Sequence, residues 1–160
     1  MGTQNGSKIK KLIREWPKGT VSTVSYLQAH DFSRKLLNKY KNSGWLSSLG
    51  HGAYILFNDK VEWSGALYSL QAQLNLDVHA GGKTALEMKG YAHYLRDRTV
   101  TVFLYGRPGT KLPAWFRKHD WDVEVASVMT NLFPDGYSEG LSEYREQGFS
   151  IRISAPERAA

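Results

Sequence analysis

Between Ser7 and Phe57 the chain carries three short amphipathic stretches, then two extended ones joined by Gly50-His51-Gly52. That order narrows the fold more than any other feature. Ser7 is positioned to cap a first helix over residues 8–16, where Ile9, Leu12, Ile13 and Trp16 recur at the spacing of one helical face. Pro17 and Gly19 stop it, and Thr20 and Val21 read as extended. Ser22 or Thr23 caps a second helix to about residue 30, with Val24 and Leu27 inward. Ser33 caps a third, residues 34–42, closed by Ser43-Gly44. Residues 45–49 and 53–57 then form a hairpin. Three helices followed by a glycine-turned hairpin is the pattern of a winged helix-turn-helix.

Charge falls unevenly on that pattern. Residues 1–60 hold ten Lys and Arg against three acids, a net of +7, whereas residues 61–160 hold eleven against twelve, a net of −1. A basic lobe joined to a neutral one points to a polyanionic partner for the first, with nucleic acid the leading candidate. The third helix sharpens this. Leu36, Leu37 and Tyr40 cluster on one side, and Arg34, Lys35, Asn38 and Asn42 cluster opposite, with Lys39 and Lys41 on the flanks. Amide forks and cations are the groups that pair with base edges and phosphates.

Asn58-Asp59 breaks the chain and is expected to end a first domain, 1–58, able to fold alone. A second domain, 59–160, reads as a small α+β unit with a mixed or antiparallel sheet. Its expected elements are a helix at 61–74, a strand at 77–80 and a helix at 83–88. A strand at 99–105, a helix at 112–118, a strand at 123–129 and a hairpin of 141–146 with 149–154 follow. Ser154-Ala155-Pro156-Glu157 resembles a capped helix start, so the protein is expected to continue past Ala160.

Other chemistries have little support. The chain has no Cys, which excludes disulfides and thiolate-held zinc. No apolar run approaches the roughly 18 residues of a membrane span, and no signal-peptide core precedes Ser7, so a cytoplasmic, nucleoid-associated protein is expected. Gly82-Lys83-Thr84 lacks the earlier glycine of a phosphate loop, since Asp77 occupies that position, and reads as a turn opening a helix. His30, His51, His79, His93 and His119 are scattered without zinc spacing; His51 alone sits where a wing tip would meet a duplex. No nucleophile motif is present. No cofactor or metal is expected. Asp120, Asp122 and Glu124 could share one strand face, a faint echo of a metal-dependent nucleotide-acting enzyme. Trp115, Phe116 and Trp121 read as core or a dimer surface, with an apolar docking surface for a protein around Trp115 and Trp121 as the rival.

Several ordered blocks resemble one family. Residues 13–21 (IREWPKGTV), 37–46 (LNKYKNSGWL) and 50–54 (GHGAY) are similar to the N-terminal winged-helix domain of AbiEi antitoxins. Residues 81–87 (GGKTALE), 90–95 (GYAHYL), 112–116 (LPAWF), 130–133 (TNLF) and 154–159 (SAPERA) resemble the rest of that family. The resemblance implies a bacterial type IV toxin–antitoxin system linked to phage defence. It implies a non-enzymatic repressor that binds repeats in its own promoter. Its second domain would counter a nucleotidyltransferase toxin without a stable complex.

Taken together, Arg34, Lys35, Asn38 and Asn42 are expected to enter the major groove, with Asn38 and Asn42 reading bases and the cap Ser33 among the DNA-binding residues. Lys8, Lys11, Lys39, Lys41 and His51 are expected to hold phosphates. A homodimer or cooperative assembly on inverted or repeated half-sites of double-stranded DNA is expected. The alternatives are a metal-dependent nucleotide-acting enzyme using Asp120, Asp122 and Glu124, and a module whose Trp115 and Trp121 bind the toxin directly.

Overall fold

The computed structural model describes residues 2–90, 101–131, 140–146 and 148–155. The expected strand start at 99–100, the tail at 156–160, His93 and Gln147 lie outside these residues.

The first half runs α1 (Gly2–Glu15), β1 (Ser22–Thr23), α2 (Val24–Ala29), α3 (Arg34–Asn42), β2 (Leu46–Ser48) and β3 (Ala53–Leu56). Helix α1 begins earlier than its sequence suggests: Ser7 lies inside the helix, not at its cap. Thr23 caps α2, its hydroxyl accepting the Tyr26 amide at 3.2 Å. Ser33 caps α3 in the same way through the Leu36 amide at 3.1 Å. Strand β1 was not legible beforehand, because two residues are too few to alternate. It exists because Ser22 and Thr23 pair antiparallel with Tyr54 and Ala53, completing a three-stranded sheet in the order β1-β3-β2. Leu12 of α1, Trp16 just after it, Leu27 of α2, Leu37 and Tyr40 of α3 and Leu46 of β2 close one hydrophobic cluster.

The second half runs α4 (Trp63–Ala72), β4 (Val78–Ala80), α5 (Gly82–Met88), β5 (Thr101–Gly106), α6 (Ala114–Lys118), β6 (Glu124–Met129), β7 (Leu141–Glu146) and β8 (Phe149–Ser154). Its five strands form a mixed sheet in the order β6-β5-β4-β8-β7, antiparallel at β4–β5 and β7–β8, parallel at β5–β6 and β4–β8. The fold is therefore α+β with two sheets. Gln71 of α4 fastens that sheet from behind. Its amide donates to the carbonyls of Val78 (2.8 Å) and Arg152 (2.9 Å) and accepts the Arg152 N–H at 2.9 Å, so its buried polar atoms are satisfied.

The two halves do not keep separate interiors. Val21, Leu49 and Ala53 of the first belong to the same buried cluster as Ala66, Leu67, Leu70, Trp115 and Ile151 of the second. Helix α4 is the joint. A β-carbon placed on Gly65 would lie 1.6 Å from the Gly19 carbonyl oxygen, so the helix rests directly on that backbone. The Ser69 hydroxyl bonds the Val21 carbonyl, Gln73 accepts the Thr23 amide at 2.8 Å, and Asp59 accepts the Gly19 amide at 2.7 Å.

Candidate nucleic-acid interface

Helix α3 has two unlike sides. Leu37 is fully buried and Tyr40 nearly so, while Arg34, Lys35, Asn38, Lys39, Lys41 and Asn42 are all exposed. Spacing produces this split: at 100° per residue the two buried positions fall within one third of the circumference and the polar six fill the rest. Burial pushes the Tyr40 hydroxyl pKa up, so it stays neutral under the helix. The open face carries four cations and two carboxamides, with no acid among its six residues.

The hairpin stands beside this helix. Its turn is made by residues that adopt positive φ, Gly50 at 106° and Gly52 at 93°, which side-chain-bearing residues resist. A cleft of about 310 Å³ separates turn and helix, lined by Arg34 and Leu37 on one bank and Ser48, His51 and Tyr54 on the other. Arg34 and the exposed His51 thus line one cleft. The Val24 amide donates to the Gly52 carbonyl at 2.9 Å, tying the turn to α2 as well.

Sequence reasoning missed what holds the turn from behind. A β-carbon on Gly50 would sit 3.6 Å from Trp115 Cβ, and one on Gly52 4.0 Å from Trp115 Cδ1. The two glycines therefore lie in van der Waals reach of α6, whose Trp115 is 65 residues beyond Gly50 in the chain. Nothing in the local pattern announces that contact.

Lys8 and Lys11 lie elsewhere. Both line a second cleft, between α1 and α2, apart from the groove at His51. Lys11 is exposed. The Lys8 ammonium donates to the Asp31 carbonyl and stands 4.6 Å from the centre of the Phe32 ring, so it is engaged inside the molecule.

Two alternatives fail. Asp120, Asp122 and Glu124 do not alternate along a strand: β6 starts at Glu124, Asp122 sits in a turn at φ 59°, and the Asp120 carboxylate accepts the Asp122 amide at 2.9 Å. No group of three metal-ligating side chains exists among the described residues. The aromatic surface proposed for toxin docking is interior: Trp115, Phe116 and Trp121 are 5%, 2% and 6% exposed, and the Trp121 indole donates to the Phe116 carbonyl at 2.8 Å. The glycine turn before α5 is as expected. A β-carbon on Gly81 would strike the Tyr105 ring at 2.6 Å, so the turn packs directly on that ring and requires a glycine.

The comparisons with known proteins decide the family. The profile described as "Transcriptional regulator, AbiEi antitoxin N-terminal domain" matches residues 5–97, and "Transcriptional regulator, AbiEi antitoxin, Type IV TA system" matches residues 99–160. The chain belongs to the AbiEi antitoxin family. AbiEi proteins are transcriptional regulators, not enzymes, and act in type IV toxin–antitoxin systems. No curated protein matches this AbiEi chain by sequence. Its fold is similar to that in the crystal structure of the RV2827C protein from Mycobacterium tuberculosis, with a TM-score of 0.52 and 18% identity. The match covers 86% of this chain and 47% of that one, so the AbiEi chain spans about half the length of that protein. No helix among the described residues is long and apolar enough to cross a membrane.

Proposed function

We propose that this AbiEi chain binds double-stranded DNA in its own promoter and represses its operon. The order α1-β1-α2-α3-β2-β3, with its sheet order β1-β3-β2, supports reading the first half as a winged helix-turn-helix. The observation that carries the proposal is the open face of α3, six exposed polar side chains without an acid, in a half of net charge +7. Arg34, Lys35, Asn38 and Asn42 enter the major groove, the two asparagines reading bases and Ser33 setting the helix start. Lys39, Lys41, Lys11 and the wing at His51 hold phosphates and fix the register. Lys8 holds α1 against the approach to α3.

The reading elements all lie within residues 1–58, and countering the toxin, a nucleotidyltransferase, falls to residues 59–160. That antagonism proceeds without a stable complex. Two chains pair on repeated half-sites, because one winged module covers too little of the groove. The protein works in the cytoplasm, at the nucleoid.

An electrophoretic shift with the chain's own promoter, against random DNA over a range of salt, tests this. With about five phosphates neutralised per chain, the log–log slope is about −4 to −5. A promoter bound no better than random sequence at physiological salt would sink the proposal.

A further inference from the structure

The larger of the two clefts is not part of the α3 surface. It holds about 370 Å³ and is bounded by α1, α2 and the end of α4. That volume lies in the range of small-molecule sites. Its floor is apolar: Leu12, Trp16, Leu27 and Phe32. Its walls carry rings. Tyr26 and His30 lie 4.2 Å apart, centroid to centroid, and Tyr68 of α4 stands on the lining with them.

The polar rim has no net charge. Lys8 and Lys11 are matched by Glu15 and Asp31. Lys8 is spent on the Asp31 carbonyl and the Phe32 ring, and Lys11 precedes Glu15 by one helical turn on α1. The rim therefore offers no excess of either charge to a ligand. The Tyr68 phenol, raised in pKa by burial and then by Tyr26, keeps its proton and can both donate and accept.

We infer that this cleft binds a flat, uncharged heteroaromatic small molecule with a hydrogen-bonding edge, stacked against Tyr26 and His30 and bonded by Tyr68. The position makes the ligand an effector. Asp31 and Phe32 immediately precede Ser33, the cap of α3, and Gln73 on the same lining accepts the Thr23 amide at the start of α2. The effect on DNA rests on the promoter binding proposed above; occupancy of the cleft does not.

Adenosine is the probe, followed on the full chain by titration calorimetry and saturation-transfer NMR. One site with a dissociation constant below about 1 mM is expected. Tyr26→Leu weakens it by about tenfold, through the lost stacking. His30→Ala, at an exposed position, weakens it in the same direction, and melting curves establish that both variants fold. Adenosine 5′-monophosphate binds several-fold less well than adenosine. Saturating adenosine shifts promoter affinity. The inference is overturned by absent saturable binding, by affinity unchanged in both variants, or by the monophosphate binding as well as the nucleoside. An unshifted promoter affinity overturns the effector role. Adenosine bound by a chain that ignores its promoter leaves the cleft standing and removes the promoter reading instead.

Discussion

Helices α3 and α4 are of similar length, nine residues and ten, and live in opposite surroundings. Helix α3 presses Leu37 and Tyr40 inward and leaves six polar side chains open. Helix α4 has almost no open side: Ser64, Gly65, Ala66, Leu67, Ser69, Leu70 and Gln71 are all buried. A helix apolar or small around its whole circumference serves as an interior strut, whereas one with a wide polar face stays available to a partner. The contrast separates support from function. Changes in α4 should act on folding, and changes on the outer face of α3 on DNA.

The comparison breaks most visibly if residues 1–58 are expressed alone. They lack α4, and with it the partners of Val21, Leu49 and Ala53. The expected result is no cooperative melt by circular dichroism, against the independent folding that the sequence suggests. A sigmoidal transition would mean that α3 has sufficient support without the strut.

Gly65→Val in the full chain comes next. An isopropyl group whose β-carbon already overlaps the Gly19 carbonyl oxygen should cost about 3 kcal/mol or more, read from urea unfolding. Lys39→Ala on the open face of α3 should change stability by less than about 0.5 kcal/mol.

Reversing Lys35 and Lys41 together to Glu should leave the melt unchanged within about 0.5 kcal/mol. Promoter and random DNA should both bind more weakly, with the salt slope shallower by about 2. An unaltered slope would remove these lysines from the phosphate contacts. Asn38→Ala is the finest test. It should erase discrimination at one base pair, worth about 1–3 kcal/mol, in a binding-site selection while leaving non-specific binding in place. An unchanged base preference would leave Asn38 without a reading role.

Local arithmetic made α3 legible. Its cap, its inward Leu37 and Tyr40 and its closing Ser43-Gly44 all follow from residues within four positions of one another, and all stand where spacing put them. The hairpin was legible for the same reason, since glycines at positive φ mark its turn. Burial supplied by distant parts of the chain was not legible. Trp115 and Trp121 read locally as core or as an open aromatic surface, and only their burial among distant residues decides for the core. Asp120, Asp122 and Glu124 look like a strand face until Asp122 takes a left-handed turn. Ser64, Ser69 and Gln71 are polar yet buried, because α4 is gripped from two sides. The site separated similarly: Arg34 and His51 meet across one groove, while Lys8, spaced correctly for α1, is drawn away by the Asp31 carbonyl.

The indole of Trp115 against the hairpin turn has an evolutionary corollary. Grafting this head onto an unrelated body would strip the backing from its loop, and inserting one residue between Gly50 and Gly52 would push that loop into the body's wall. Hairpin and body sequence must therefore drift as a matched set, and exchange between family members should succeed when the donor brings its own α6.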